Sequence, residues 1–75
     1  MTALRELKVL ESPDQTERVV ITLRSDGIYT YQQQWWQAED AEWGALGPEC
    51  GLYDSSDTAE LEARLRVPWL RAQFH

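Results

Sequence analysis

Apolar and polar residues alternate most regularly between Arg18 and Trp36. Val19, Ile21 and Leu23 alternate with Arg18, Val20, Thr22 and Arg24. Beyond Ser25-Asp26-Gly27, Tyr29, Tyr31 and Trp35 alternate with Ile28, Thr30, Gln32, Gln34 and Trp36. A period of two in β-branched and aromatic residues, on either side of a glycine-containing turn, predicts a β-hairpin with one buried face. Turn length decides which face is buried. A two-residue Asp26-Gly27 loop sets Val19, Ile21 and Leu23 beside Thr30, Gln32 and Gln34. A three-residue Ser25-Asp26-Gly27 loop sets Leu23 opposite Tyr29 and Ile21 opposite Tyr31, so one side is consistently apolar. A one-residue slip exchanges the face of every side chain, so face consistency selects the three-residue loop, with Gly27 at positive φ.

Residues 3–11 fit two patterns. Leu4, Leu7 and Leu10 have helical spacing, whereas Leu7 and Val9 have strand spacing. So short a segment is marginal as a lone helix. Ser12-Pro13-Asp14-Gln15 is a turn signal that leads straight into Arg18. The expectation is a strand, with helix the alternative.

After Trp36 the alternation fails. Gly44, Gly47 and Pro48 mark a loop, residues 38–43 could form one helical turn, and residues 51–53 could add a short extended segment. A loop this long in a small domain is often functional or mobile, and Trp43 is expected to tuck back as its anchor.

Asp54-Ser55-Ser56-Asp57 opens a helix. Asp57 has Glu60 at capping-box spacing, and Ser55 and Ser56 are equally good N-caps. Residues 59–66 have high helix propensity, and Glu60 and Arg64 form an i,i+4 pair. Thr58, Leu61, Leu65 and Trp69 share a stripe, which is assigned to the sheet. Pro68 ends the helix and can start another turn, with Trp69, Leu70 and Phe74 closing the core. The reading is a single domain over residues 1–75, α+β. It comprises a small three-stranded antiparallel sheet (a meander) with one C-terminal helix packed on one face. That element order resembles the small three-stranded DNA-binding domains of some integrases and plant transcription factors. The likeness is in element order only: those domains need a basic sheet face, and here the outward face offers Arg18 and Arg24 among threonines and glutamines beside a strongly acidic half, so the family is not assigned.

A chain of 75 residues buries only about 60–65% of its unfolded surface. It can ill spare large apolar side chains, and it has four tryptophans, so an exposed one implies a partner that covers it. Net charge is −6, unevenly spread: residues 38–63 hold eight acids and no base, and residues 64–75 hold three arginines. This acidity argues against nucleic-acid phosphates and anionic membrane surfaces, and favours a basic partner. Cys50 is the single cysteine, so no intrachain disulfide forms. No signal peptide or membrane-length apolar run is apparent, and the reading is a cytoplasmic protein.

Candidate chemistry is sparse. His75 is the only histidine and the last residue, a frayed end on this reading. Cys50 has no histidine in a fixed neighbourhood and reads as a half-buried thiol; the two together fall short of a zinc site. The carboxylates sit in loop or cap contexts, without a calcium-loop pattern, and no glycine-rich phosphate loop occurs. The expectations are no enzyme, no cofactor and no metal.

Core packing accounts for Tyr29, Tyr31 and Trp35. With Trp35 inward, Trp36 points outward together with Val20 and Ile28. That set, with Glu39, Asp40, Glu42 and Trp43 of the acidic loop, is the candidate partner-binding surface. The function expected is a small non-enzymatic protein-interaction module or accessory protein. It would bind a partner protein or a second copy of the chain. Behind it stand an acidic, charge-driven inhibitor or nucleic-acid mimic, and then a weak nucleic-acid binder using Arg18, Arg24, Arg64, Arg66 and the aromatics.

Overall fold

The computed structural model describes residues 4–73. Ala3, Phe74 and His75, on which the strand, core-closure and terminus expectations touched, lie outside the described residues. Strands β1 (Leu4–Glu11), β2 (Glu17–Arg24) and β3 (Tyr29–Gln37) form an antiparallel meander. Leu23 stands opposite Tyr29 and Ile21 opposite Tyr31. The Arg24 amide donates to the Ile28 carbonyl at 2.9 Å, the Gly27 amide donates to the Arg24 carbonyl at 3.0 Å, and Gly27 has φ 86°. The three-residue turn therefore sets the register, and glycine supplies the left-handed residue that closes it. In β1, a bulge at Leu7 shifts the pairing, so that Arg5 opposes Leu23 and, beyond it, Lys8 opposes Ile21 and Leu10 opposes Val19. Residues directly opposite share a face, so Arg5, Lys8 and Leu10 all project to one side.

The sheet does not stop at three strands. The segment expected to be loop runs back along the free edge of β3. There β4 (Glu42–Trp43) pairs with Gln37 and Trp36, and β5 (Cys50–Tyr53) pairs with Tyr31 and Tyr29. Residues 38–41 form a turn rather than a helical turn, with Ala41 at φ 51°. Glycine and proline do break the regular ladder between β4 and β5, but contact persists. Gly44 N–H donates to the Trp35 carbonyl at 3.0 Å and Gly47 N–H to the Gln33 carbonyl at 2.8 Å. The glutamine run supplies the remaining partners: Gln34 Nε2 donates to the Gly44 carbonyl and Gln32 Nε2 to the Gly47 carbonyl, both at 2.8 Å. Side-chain amides thus satisfy carbonyls that an irregular strand leaves open.

Helix α1 (Ser56–Arg66) starts at Ser55, whose hydroxyl accepts the Thr58 N–H at 3.1 Å. Asp57 sits inside the first turn, so no capping box forms on it. Val67 leaves helical geometry (φ −86°, ψ 119°), and Pro68 opens a second helix, α2 (Pro68–Gln73). The Glu60–Arg64 pair forms at 2.9 Å.

The face that α1 buries is not the leucine stripe. Leu61 and Leu65 are 47% and 46% exposed, while Ala59 and Ala63 are wholly buried. The core joins Val19, Ile21 and Tyr31 of the sheet to Ala59, Ala63, Val67 and Leu70, with Tyr53 and Trp69 at its margin. The stripe assigned to the sheet is overturned for a steric reason. The sheet side already carries the bulk, including Tyr31 and Tyr53 stacked with ring centroids 6.4 Å apart. Small helix residues let the backbone lie close to those rings, and leucines would hold it off. The centre of the opposite sheet face is also buried, with no helix of the described residues over it, while Val9 at its β1 margin stays 45% exposed. The sheet curls and brings its own side chains together: Val20, Thr22, Thr30 and Gln32 are buried, and the Thr22 and Thr30 hydroxyls hydrogen-bond at 2.6 Å. No helix among the described residues is long and apolar enough to cross a membrane.

Candidate binding surface

The predicted surface residues separate into two groups. Val20 is only 1% exposed, the floor of the curled face, so it offers no contact surface. Ile28 is half-buried just before β3, whereas Trp36 lies near the strand's far end. Eight residues of strand put them about 26 Å apart. Val20, Ile28 and Trp36 therefore form no common patch. Trp36, Glu39, Asp40, Glu42 and Trp43, by contrast, all lie on the β3–β4 hairpin, and the three acids are exposed.

Trp36 and Trp43 are cross-strand partners, packed edge-to-face with centroids 5.5 Å apart at 75°. The Arg18 guanidinium lies 3.9 Å from the centroid of the Trp43 ring, a cation–π contact. Trp43 is thus the anchor that its place in the loop implied. Trp36 remains 39% exposed. Trp35 was expected in the core but is 45% exposed. It has the core-facing orientation, but it stands opposite Glu17 at the sheet's end, and its Nε1–H donates to Glu17 Oε1 at 3.0 Å.

The β1–β2 turn closes against this end. Trp36 N–H donates to the Thr16 carbonyl at 2.8 Å. The turn is stiffened by its own side chains. Ser12 Oγ accepts the Glu17 N–H at 3.0 Å, and Asp14 Oδ1 accepts from the Ser12 hydroxyl at 2.7 Å and the Thr16 hydroxyl at 2.7 Å. These hydroxyls, Ser12 first and then Thr16, hold the Asp14 carboxyl below its ordinary range. Asp14 Oδ2 has no hydrogen bond among the described residues. Between turn and tryptophans lies a cleft of about 340 Å³ lined by Glu11, Asp14, Gln15, Thr16, Trp36 and Trp43.

Two other hollows are committed to structure. One, of about 360 Å³, is lined by Lys8, Asp57, Glu60, Leu61 and Arg64. There Glu60 binds Lys8 at 2.8 Å and Arg64 at 2.9 Å, and the Lys8 hydrogen bond, more than Arg64, holds the Glu60 carboxyl low. The other is lined in part by Arg24, whose guanidinium pairs with Asp26 at 2.8 Å and Glu49 at 3.4 Å.

The basic-free stretch does not make one acidic face. Glu49, Glu60 and Glu62 are ion-paired. The others divide between the β3–β4 hairpin (Glu39, Asp40, Glu42) and the start of α1 (Asp54, Asp57), at opposite ends of β3. Among the described residues no group of three metal-ligating side chains converges. The Tyr31 hydroxyl is pushed up chiefly by burial, as a core group beneath α1.

The Trp35-Trp36 doublet was a legible signal, since adjacent strand residues must face opposite ways. The part played by Glu11, Asp14 and Thr16 was not, because it depends on a turn meeting a strand 20 residues away. No family model, curated protein or solved structure matches the chain.

Proposed function

We propose that the protein is a small non-enzymatic interaction module, and that it binds its partner through the tryptophan-bearing end of the sheet. The observation that carries this reading is Trp36, 39% exposed yet fixed against Trp43 and tied through its amide to Thr16. Tryptophan is the residue type most enriched at binding hot spots. A side chain already held in place loses little conformational freedom on binding. Trp35 extends the apolar surface to the other face. A single half-buried thiol suits a reducing compartment such as the cytoplasm.

Affinity capture from the source cell tests the reading, with wild type, Trp36→Ala and Leu61→Ala compared. At least one partner should be lost with Trp36→Ala and kept with Leu61→Ala. If all three retain the same partners, the reading is wrong. If the partner is a second copy, light scattering gives a dimer for wild type and a monomer for Trp36→Ala.

A further inference from the structure

We propose that the cleft between the β1–β2 turn and the Trp36–Trp43 pair receives an arginine side chain from a basic segment of the partner. The proposal deepens the function proposed above and rests on it.

The cleft has an aromatic wall, Trp36 and Trp43, and a carboxylate wall, Glu11 and Asp14. At about 340 Å³ it is at the small end of ligand sites, a size that suits one long side chain. Among the described residues Lys8, Arg24, Arg64 and Arg66 are paired with other acids, and Arg18, which stands opposite Glu11 in the β1–β2 ladder, lies on Trp43 and makes no ion pair with either carboxylate of that wall. Glu11 and Asp14 have no ion-pair partner among the described residues. Asp14 is also preorganised. Three hydrogen bonds fix its Oδ1, from the Ser12 hydroxyl and from the Thr16 hydroxyl and amide, leaving Oδ2 to accept from a ligand. Glu39, Asp40 and Glu42 on the adjoining hairpin add negative field that draws a basic segment in.

The cluster holds an internal example of the contact: Arg18 places its guanidinium 3.9 Å from the Trp43 ring centroid. A planar guanidinium can lie on an indole and present its N–H fork to a carboxylate at once, which an ammonium cannot do as well. Arginine therefore fits both walls better than lysine.

The full ¹⁵N-labelled chain is titrated at low ionic strength with an end-blocked Gly-Arg-Gly-Arg-Gly peptide and with its citrulline counterpart, which keeps the shape and loses the charge. The indole N–H signals of Trp36 and Trp43 and the amides of residues 11–16 should shift. The arginine peptide should bind about tenfold or more tightly than the citrulline peptide. Trp36→Ala should abolish the difference. Glu11→Gln, an exposed change that spares the fold, should reduce it several-fold. Equal binding of both peptides, shifts centred on Trp69 and α2, or no shift at millimolar peptide would overturn the proposal. If the peptides fail while Trp36→Ala still loses a captured partner, the surface stands and the arginine falls. If Trp36→Ala loses no partner, the surface reading itself falls.

Discussion

Ala59 and Ala63 set how closely α1 lies on the sheet. Both are fully buried against a face that carries Ile21, Tyr31 and Tyr53. Ala63→Leu should therefore destabilise the fold by about 1–3 kcal/mol through overpacking. Leu61→Ala, at an exposed position, should cost only about 0.5 kcal/mol. Urea unfolding of the two variants gives the comparison, and a larger loss for Leu61→Ala would restore the leucine stripe. That stripe misled because Ala59-Ala63-Val67 and Leu61-Leu65-Trp69 have the same spacing, and side-chain size favoured the leucines. Only the bulk on the facing sheet decides between them, and periodicity within the helix does not report it. Gly27 was legible because a turn of that length demands one left-handed residue. Gly51 was not: its φ of 73° and the Tyr53 ring, which a Cβ there would strike, arise from a bulge in an irregular edge strand.

Among the elements, the hairpin, α1 and the restart at Pro68 follow from local pattern, whereas β1 has both helical and strand spacing and reads as a strand from the turn that leads into β2. The fourth row of the sheet does not. Gly44, Gly47, Pro48 and Gly51 break the alternation there, and the pairing is kept by β3 carbonyls and glutamine amides. The three glutamines are therefore unequal. Gln32→Ala removes the donor to Gly47 and the acceptor for Thr22 in a buried site, and should cost about 1–3 kcal/mol. Gln33→Ala leaves its backbone bond to Gly47 intact and should cost less. Chemical denaturation of the pair checks the order.

The clamp between β1 and α1 should be visible in the pH dependence. Lys8 first, and Arg64 after it, hold the Glu60 carboxyl below its ordinary value. A carboxyl lowered in the folded state stabilises the fold above its unfolded value, about pH 4.3, and that contribution is lost as pH falls through the folded value. Glu60→Gln should therefore flatten the acid limb of stability below about pH 4.3 while lowering stability at neutral pH. An unchanged acid limb would show that the clamp contributes nothing.

Across the whole molecule, charges segregated along the sequence interleave in space. The basic-free stretch sends Glu60 to Lys8 on β1 and Glu49 to Arg24 on β2. Carboxylates without ion pairs remain at both ends of β3, but only the Trp36 end joins them to exposed tryptophan and a cleft. The doublet and the acidic loop pointed toward that end from the sequence. The burial of Val20 and its neighbours was hidden, because alternation shows which residues share a face and not that the sheet curls over it.

On the proposal above, the protein meets its partner at this end and not along the exposed leucines of α1. Site-specific photo-crosslinking in the source cell tests it most directly, with a photoreactive phenylalanine placed at Gln37 on the hairpin or at Leu65 on the helix, both exposed. A discrete covalent adduct is expected from position 37 and none from position 65. An adduct from position 65 with none from position 37 would contradict it.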